Sequence, residues 1–395
     1  MGVFKMYKRS EVQELDKIIN FKIPHIKDEV HFWMVRTQGG HFYQEFISEK
    51  YVAFGWNLID KSSDLKSKEL TESINIEYNL QQGGRAVSKC NLFMNAVQEN
   101  DIVLIPNKGL SEIAIAIIGE YYEESAKTIL DEKQALLEIK YKNDVLNDVK
   151  CPYKKRRKIN VLKIVKGTSL NPHLYKTLRN YSGIDDIDEH AVYILSMIFD
   201  TFIYNSNLHI VLNVGQSQDI ELYDLSGILY GSSRYFSHFI DKSKVTAKVN
   251  VCSEGQIFIV LKDALEMIIQ NGPTFVSTFL ALFGGTYGII KLKDVPKFLK
   301  EIVTVKESFK QEKINTQLLD EKLRKKRLEN DALQLELEEK KRIIAQSLQN
   351  QSIDGLPTEF EQKLIEETCE PLQLAPNELT EEAQSAISVI IQQDE

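Results

Sequence analysis

Two short apolar runs, Phe32-Trp33-Met34-Val35 and Val52-Ala53-Phe54, frame the segment that most restricts how this chain folds. Between them lie Arg36-Thr37-Gln38-Gly39-Gly40-His41 and an amphipathic turn through Tyr51, and the second run closes on Gly55-Trp56. Each run is too short for a stable helix and is bounded by glycine, which reads as two strands joined through a turn and one helical loop. Trp33, Arg36, Gly39, Gly40 and Trp56 therefore converge where two strands meet. An arginine, two rings and approachable backbone suit a flat ligand stacked on an aromatic face, with its polar edges read by N–H groups and the guanidinium. The competing reading places both tryptophans in the core and makes the glycine pair a plain turn.

The same stretch resembles the amino-terminal domain of Mrr-type and related restriction proteins, a β-barrel of the PUA-like (EVE-like) class. That pattern is roughly Trp-x-x-Arg-x-Gly, a short helix, then Val-Ala-x-Gly-Trp. Asn100-Asp101-Ile102-Val103-Leu104-Ile105-Pro106-Asn107-Lys108-Gly109 is similar to its Gly-Asp-Leu-Val segment, with Asn100 in place of the usual Gly. Arg157-Lys158-Ile159-Asn160-Val161-Leu162 is similar to its closing strand, with Leu162 where a Trp is common. The resemblance spans residues 28–192. It implies a pocket for a nucleobase, modified and flipped or free as a nucleotide, in a restriction or anti-phage setting.

Charge is unevenly placed. The chain carries −8, yet the tail from Gln351 holds eleven acids and one base, so residues 1–350 are slightly basic. The acidic balance therefore leaves nucleic acid binding open to the front of the chain. Lys154-Lys155-Arg156-Arg157-Lys158, with Lys163 and Lys166, is expected to form a positive ridge beside the barrel that neutralises phosphates, and Lys108 to join it. The bland alternative is a solvated strand entry.

Other chemistries find little footing. Four scattered cysteines and seven histidines show no metal-ligand spacing, so no metal or cofactor is expected, and the cysteines fit a reducing compartment. No apolar leader opens the chain, so a cytoplasmic protein is the expectation. Asp131 with Glu138-Ile139-Lys140 imitates a nuclease Asp…Glu-x-Lys set, but in a chain this charged such a triplet reads mainly as exposed strand residues. Val165-Lys166-Gly167-Thr168-Ser169 lacks the upstream glycine of a phosphate loop. No convincing catalytic constellation appears.

The expected fold class is α+β: a PUA-like β-barrel domain, a second α+β domain and a long C-terminal helix. The boundaries read as a leading helix over 1–27, the recognition domain over 28–188, a second domain of unknown role over 189–303, a charged helix over 304–350 and an acidic, semi-ordered tail over 351–395. Within the first domain Ile74 to Tyr78, Ile102 to Ile105, Ile113 to Tyr122 and Leu136 to Tyr141 read as strands. The charged stretch Lys61 to Glu72 reads as a mobile loop, and Lys89 to Gln98 as a helix packing Phe93, Ala96 and Val97. In the second domain the readings are a helix Ala191 to Tyr204, strands at His209 to Val214, Lys248 to Cys252 and Gln256 to Lys262, and polar turns at Ser226-Gly227 and Gly231 to Tyr235. Leu319, Leu323, Leu333, Leu337 and Ile344 fall on a seam that would make a homodimeric coiled coil; a single solvated helix is the rival. The uncharged run Gly272 to Ile290 is long enough to cross a bilayer but reads better as buried helix and turn. The expected partners are DNA or a nucleotide, a second copy of the chain, and a nuclease or motor protein. The alternative function is a defence effector whose central domain acts as a nuclease or on a membrane.

Overall fold

A computed structural model describes residues 23–141, 149–179, 183–215, 219–251, 255–265, 267–268, 364, 372–373, 377 and 379–392. The chain divides into two compact units: His25–Phe199 with Asn377–Glu395, and Met1–Pro24 with Asp200–Pro376. Residues 1–22 of the leading helix expected over 1–27, the run Gly272 to Ile290 and the seam Leu319 to Ile344 lie outside the described residues, and residues 23–27 are not helical. No described helix is long and apolar enough to cross a membrane.

The first unit is α+β. In chain order it contains β1 (Phe32–Val35), α1 (Tyr43–Ser48), β2 (Tyr51–Phe54), α2 (Lys68–Tyr78), α3 (Gly83–Asn91) running into a π-helical turn at Leu92–Ala96, β3 (Ile102–Pro106) and β4 (Glu112–Glu123). It continues with α4 (Ile129–Tyr141), β5 (Lys155–Lys166), α5 (Pro172–Leu178), β6 (Ile184–Asp186) and α6 (Ala191–Leu195). The six strands form one sheet in the order β2-β5-β4-β3-β1-β6. All neighbours are antiparallel except β1 and β3, which run parallel with Trp33 opposite Val103. Two register shifts between the long strands β4 and β5 bend the sheet, and it curls into a half-barrel.

Both faces are covered along β1, β3 and the first half of β4. Trp33, Val35, Val103, Ile105, Ala114 and Ala116 pack with Phe42, Phe46, Phe54, Cys90 and Phe93 in one cluster. The alternating residues Met34, Leu104, Ile113 and Ile115 are fully buried as well.

Two segments expected as strands are helices. In α2, Leu70, Ile74 and Tyr78 recur every fourth residue, and Ser67 caps the start by accepting from the Leu70 N–H at 3.2 Å. Its end is set by Asn79 in the left-handed conformation, φ 51°. The second half of the supposedly mobile loop is thus the first turn of a capped helix. In α4, Thr128 and Asp131 exchange hydrogen bonds, Thr128 N–H to the Asp131 carboxylate at 2.9 Å and Asp131 N–H to Thr128 Oγ1 at 3.2 Å. Asp131 is therefore a cap. The expected helix near Lys89 lies one turn earlier, with Phe93 and Val97 buried as expected and Ala96 exposed.

The second unit contains β7 (Thr201–Tyr204), β8 (Asn207–Val214), α7 (Leu222–Phe236), β9 (Val245–Val251) and β10 (Gly255–Leu261). Its sheet is antiparallel in the order β7-β8-β10-β9. The expected turns at Ser226-Gly227 and Gly231 to Tyr235 are interior to α7, where Gly227, Ile228, Gly231, Ser232 and Tyr235 form the buried stripe. Their spacing of three and four residues is the helical signal, and the small residues allow close packing. The helix expected over Ala191 to Tyr204 stops at Leu195, and Thr201–Tyr204 is strand β7.

One segment of the acidic tail, α8 (Glu381–Ile387), packs on β5 of the first unit and buries Ala383 and Ile387. Thr380 caps it, accepting from the Ala383 N–H. Beyond it Ile391 bridges Ile26, and Gln392 N–H donates to the His25 carbonyl.

Candidate functional site

The expected pocket residues take three different roles. Trp33 is an internal anchor. Its side chain is buried, and Nε1 donates to the Asp101 carboxylate at 2.7 Å. Asp101 also accepts from the backbone of His31 at 3.1 Å and Gln98 at 2.8 Å. Burial pushes the Asp101 carboxyl up from the usual carboxylate range, with those donors opposing it. Trp33 thus has no face for a ligand. Arg36 closes the end of β1: its backbone N–H donates to the Gly183 carbonyl at 2.9 Å, and its guanidinium donates to the Leu178 carbonyl at the C-terminus of α5. A cation at a helix C-terminus is favourably placed, so part of its charge is spent inside the unit.

Trp56 is different. It is half-buried, meets Phe54 edge-on at 5.3 Å between ring centroids, and has a left-handed backbone with φ 56°. For an aromatic residue that conformation is costly and persists only where surroundings over-determine it. They do so here. Glu132 accepts from the Trp56 N–H at 2.6 Å and the Asn57 N–H at 2.7 Å, and from the Tyr78 hydroxyl at 2.7 Å. From the other side the Lys155 ammonium donates to the carbonyls of Trp56 at 2.8 Å and Ile59 at 2.9 Å. Asn57 Nδ2 donates to the Thr128 and Pro152 carbonyls. A buried carboxylate and a buried ammonium therefore hold one short loop between them.

That geometry corrects the expected phosphate ridge. Lys155, Arg156 and Arg157 are 0%, 9% and 4% exposed. β5 is an interior strand, paired to β2 and β4, and at its start, Lys155–Arg157, side chains on both its faces are buried, whereas Lys158, Asn160, Ile164 and Lys166 further along are exposed. Arg156 donates to the carbonyls of Tyr153 and Cys151 and lies 4.3 Å over the Tyr51 ring. Arg157 donates to the carbonyls of Phe93, Met94 and Val97. Burial lowers the pKa of both Lys155 and Arg157. Lys154 is bound to Asp60 at 3.0 Å; desolvation would raise the Asp60 pKa, but hydrogen bonds from Ser62 and Lys154 outweigh it and hold it below the usual range. Lys158 alone of the five is well exposed, and it pairs with Glu120 at 2.5 Å.

Gly39, Gly40 and Lys108 are brought together. Because β1 and β3 are parallel, the loops that follow them leave from the same end of the sheet, and Thr37 Oγ1 ties them by donating to the Pro106 carbonyl at 2.7 Å. Gln38, Gly39 and Gly40 are consecutive left-handed residues, with φ 51°, 69° and 97°. A Cβ on Gly40 would lie 2.6 Å from the Lys108 backbone nitrogen, so only glycine permits the approach. Opposite, Gly109 and Leu110 are left-handed too, with φ 64° and 59°. Gln38, Gly39, His41, Lys108 and Gly109 are exposed.

Tyr153, which no motif singled out, links this rim to the Trp56 loop. Its hydroxyl donates to Gln38 Oε1 at 3.3 Å, and its ring meets Phe42 edge-on. A Cβ on Gly55 would come within 3.0 Å of the same ring and 2.8 Å of Glu132 Oε1. Glu132, Tyr78 and Tyr153 are thus the site residues that sequence reasoning missed. The candidate nuclease triplet is dispersed on the helix surface, with Asp131 in the cap, Glu138 half-buried and Lys140 exposed.

The same segment also falls within a match to a family model. Residues 33–173 match one described as a domain of unknown function, DUF8426. The match opens at Trp33 and takes in the two left-handed loops, Trp56, Glu132, Tyr153 and all of β5. No curated protein and no solved structure matches the chain.

Proposed function

We propose that the chain is a nucleic-acid or nucleotide recognition protein, reading a base at the rim formed by Gln38–His41 and Lys108–Gly109. The observation that carries this reading is the run of three left-handed residues pressed against Lys108. Left-handed Gln38 and Trp56 each cost on the order of 1–3 kcal/mol, and such strain is kept where presentation of backbone or side chain has a use. The rim offers peptide groups and the Gln38 amide for base edges, Lys108 and His41 for phosphate, and Trp56 as an adjoining aromatic shelf. Its resemblance to the PUA-like domains of restriction and defence proteins points the same way. The original pocket with Trp33 as one wall gives way to this shallower site at the strand ends.

The test is fluorescence polarisation with a panel of oligonucleotides carrying plain and modified bases, together with free nucleotides. Lys108→Ala should weaken binding and flatten its salt dependence by about one unit. Gln38→Ala should reduce discrimination among bases with little change in salt slope. A parent protein that binds nothing in the panel, or two variants that bind every member like the parent, would sink the proposal.

A further inference from the structure

We propose that Lys166-Gly167-Thr168-Ser169 is a further wall of the rim and holds a second phosphate, so that the ligand is a polynucleotide strand and not a lone nucleotide. This rests on the recognition reading above and adds the class of ligand to it. The segment lacks the sequence frame of a phosphate loop; its place in the sheet is what brings it to the rim.

β1, β3, β4 and β5 are successive neighbours in the sheet. β1 and β3 are parallel, β4 runs back from the turn after β3, and β5 is antiparallel to β4. The ends of β1, β3 and β5 and the start of β4 therefore lie at one end of the sheet. Gln38–His41, Asn107–Ser111 and Lys166–Ser169 follow one another there in a row. At about 4.8 Å between neighbouring strands, the row from β1 to β5 is about 14 Å long, and shorter where the sheet curls.

The middle turn is gripped from both sides. Gly40 admits the Lys108 backbone on one side. On the other, the Gly167 N–H donates to the Ser111 carbonyl at 3.0 Å, and a Cβ on Gly167 would collide with the Leu110 carbonyl oxygen. Glycine is required there, as at Gly40. Gly167 and Leu170 are buried, whereas Lys166, Thr168 and Ser169 are exposed. The β5 end of the row thus presents an ammonium and two hydroxyls, donors that suit phosphate oxygens. Glu112, the half-buried cross-strand partner of Lys166, is the single carboxylate in residues 38–41, 107–112 and 166–169, against two lysines. A nucleotide with its base at Gln38 and its phosphate at Lys108 occupies the first part of the row. The next phosphate along a strand falls to the β5 wall.

The experiment uses the full chain and fluorescence polarisation at low and moderate salt. The probes are a labelled length series, from mononucleotide to hexanucleotide, of the base bound best in the panel above. Affinity should rise roughly tenfold or more from mononucleotide to oligonucleotide, with a steeper salt dependence. The triple variant Lys166→Ala, Thr168→Ala, Ser169→Ala changes exposed side chains and should melt like the parent. It should lose the rise with length and about one unit of salt slope. Should it melt lower, Lys166→Gln alone, which keeps the stem and removes the charge, must show the same loss of slope. A parent that binds every length equally, or variants that keep its length and salt dependence, overturn the further wall and leave the rim reading standing. A parent that binds no member of the series removes both.

Discussion

Replacing Arg157 with alanine separates a structural guanidinium from a phosphate-binding one. The side chain is 4% exposed, and it donates to three carbonyls, Phe93 at 3.0 Å, Met94 at 3.2 Å and Val97 at 2.6 Å. Those carbonyls lie where the π-helical turn ends, which is where backbone acceptors have lost their helical donors. Charge-assisted bonds contribute roughly 1.5–3 kcal/mol each but are not additive. The ring contacts to Phe93 and Tyr121 are lost as well. Together these give an expected loss of about 3–5 kcal/mol, within the range for breaking a buried network. At roughly 2–4 °C per kcal/mol for a unit of this size, the Tm should fall by about 6–20 °C. Lys158→Ala is the control: that side chain is exposed beside Glu120, and its loss should leave the Tm close to the parent's. Thermal unfolding followed by circular dichroism measures both. An Arg157→Ala protein that melts like the parent and loses one unit of salt slope in nucleic acid binding would refute the reasoning.

Three further outcomes are expected. Gly39→Ala has open space but a left-handed φ of 69°, and should cost about 1 kcal/mol; Gly40→Ala drives a methyl into the Lys108 backbone and should cost at least 2–3 kcal/mol and abolish rim binding, with equal melting of the two variants counting against the described contact. Glu132→Gln leaves a single good acceptor for three donors and should destabilise by roughly 2–4 kcal/mol, which urea titration would detect; a neutral change would mean that the Trp56 loop is held some other way. Burial, reinforced by Lys248, lowers the His209 pKa to about 4 from 6.5, against an opposing backbone bond at Tyr204. The unfolded chain then takes up the proton first, so stability is lost as pH falls from about 6.5 towards 4, by up to about 3 kcal/mol. His209→Phe should flatten that acid limb, and parallel pH profiles for parent and variant would contradict it.

Much of the architecture could be read from the residues. The runs Phe32–Val35, Ile102–Pro106 and Glu112–Glu123 are apolar or alternating and bounded by turn residues, and each is a strand. Two helices were misread because their apolar residues are few. Ile74-Asn75-Ile76-Glu77-Tyr78 alternates by chance, whereas Ser67 and the Thr128–Asp131 pair were genuine start signals. The glycine pair was legible as a site where backbone comes close, and the structure supplies Lys108 as what it approaches. The basic run was misleading for a physical reason. Consecutive cations on a strand suggest solvent, yet at the start of β5 both faces are covered, and Lys155, Arg156 and Arg157 send their long stems inward to meet backbone carbonyls. Glu132 and Tyr153 belong to no motif, since their role depends on contacts across 76 and 115 residues of sequence.

The way α8 and the 390–392 segment return to the first unit has a consequence for synthesis. Among the described residues, the seat on β5 and the edge beside His25 to Lys27 are covered by residues after Asn377. A ribosome must translate the whole intervening stretch of the second unit, residues 200–376, before that covering emerges. At roughly 5–20 residues per second this is about 10–35 s during which that part of β5 stands without its covering helix. A premature stop anywhere in the second unit would therefore damage the first unit as well, leaving apolar surface on β5 open to chaperones and proteases.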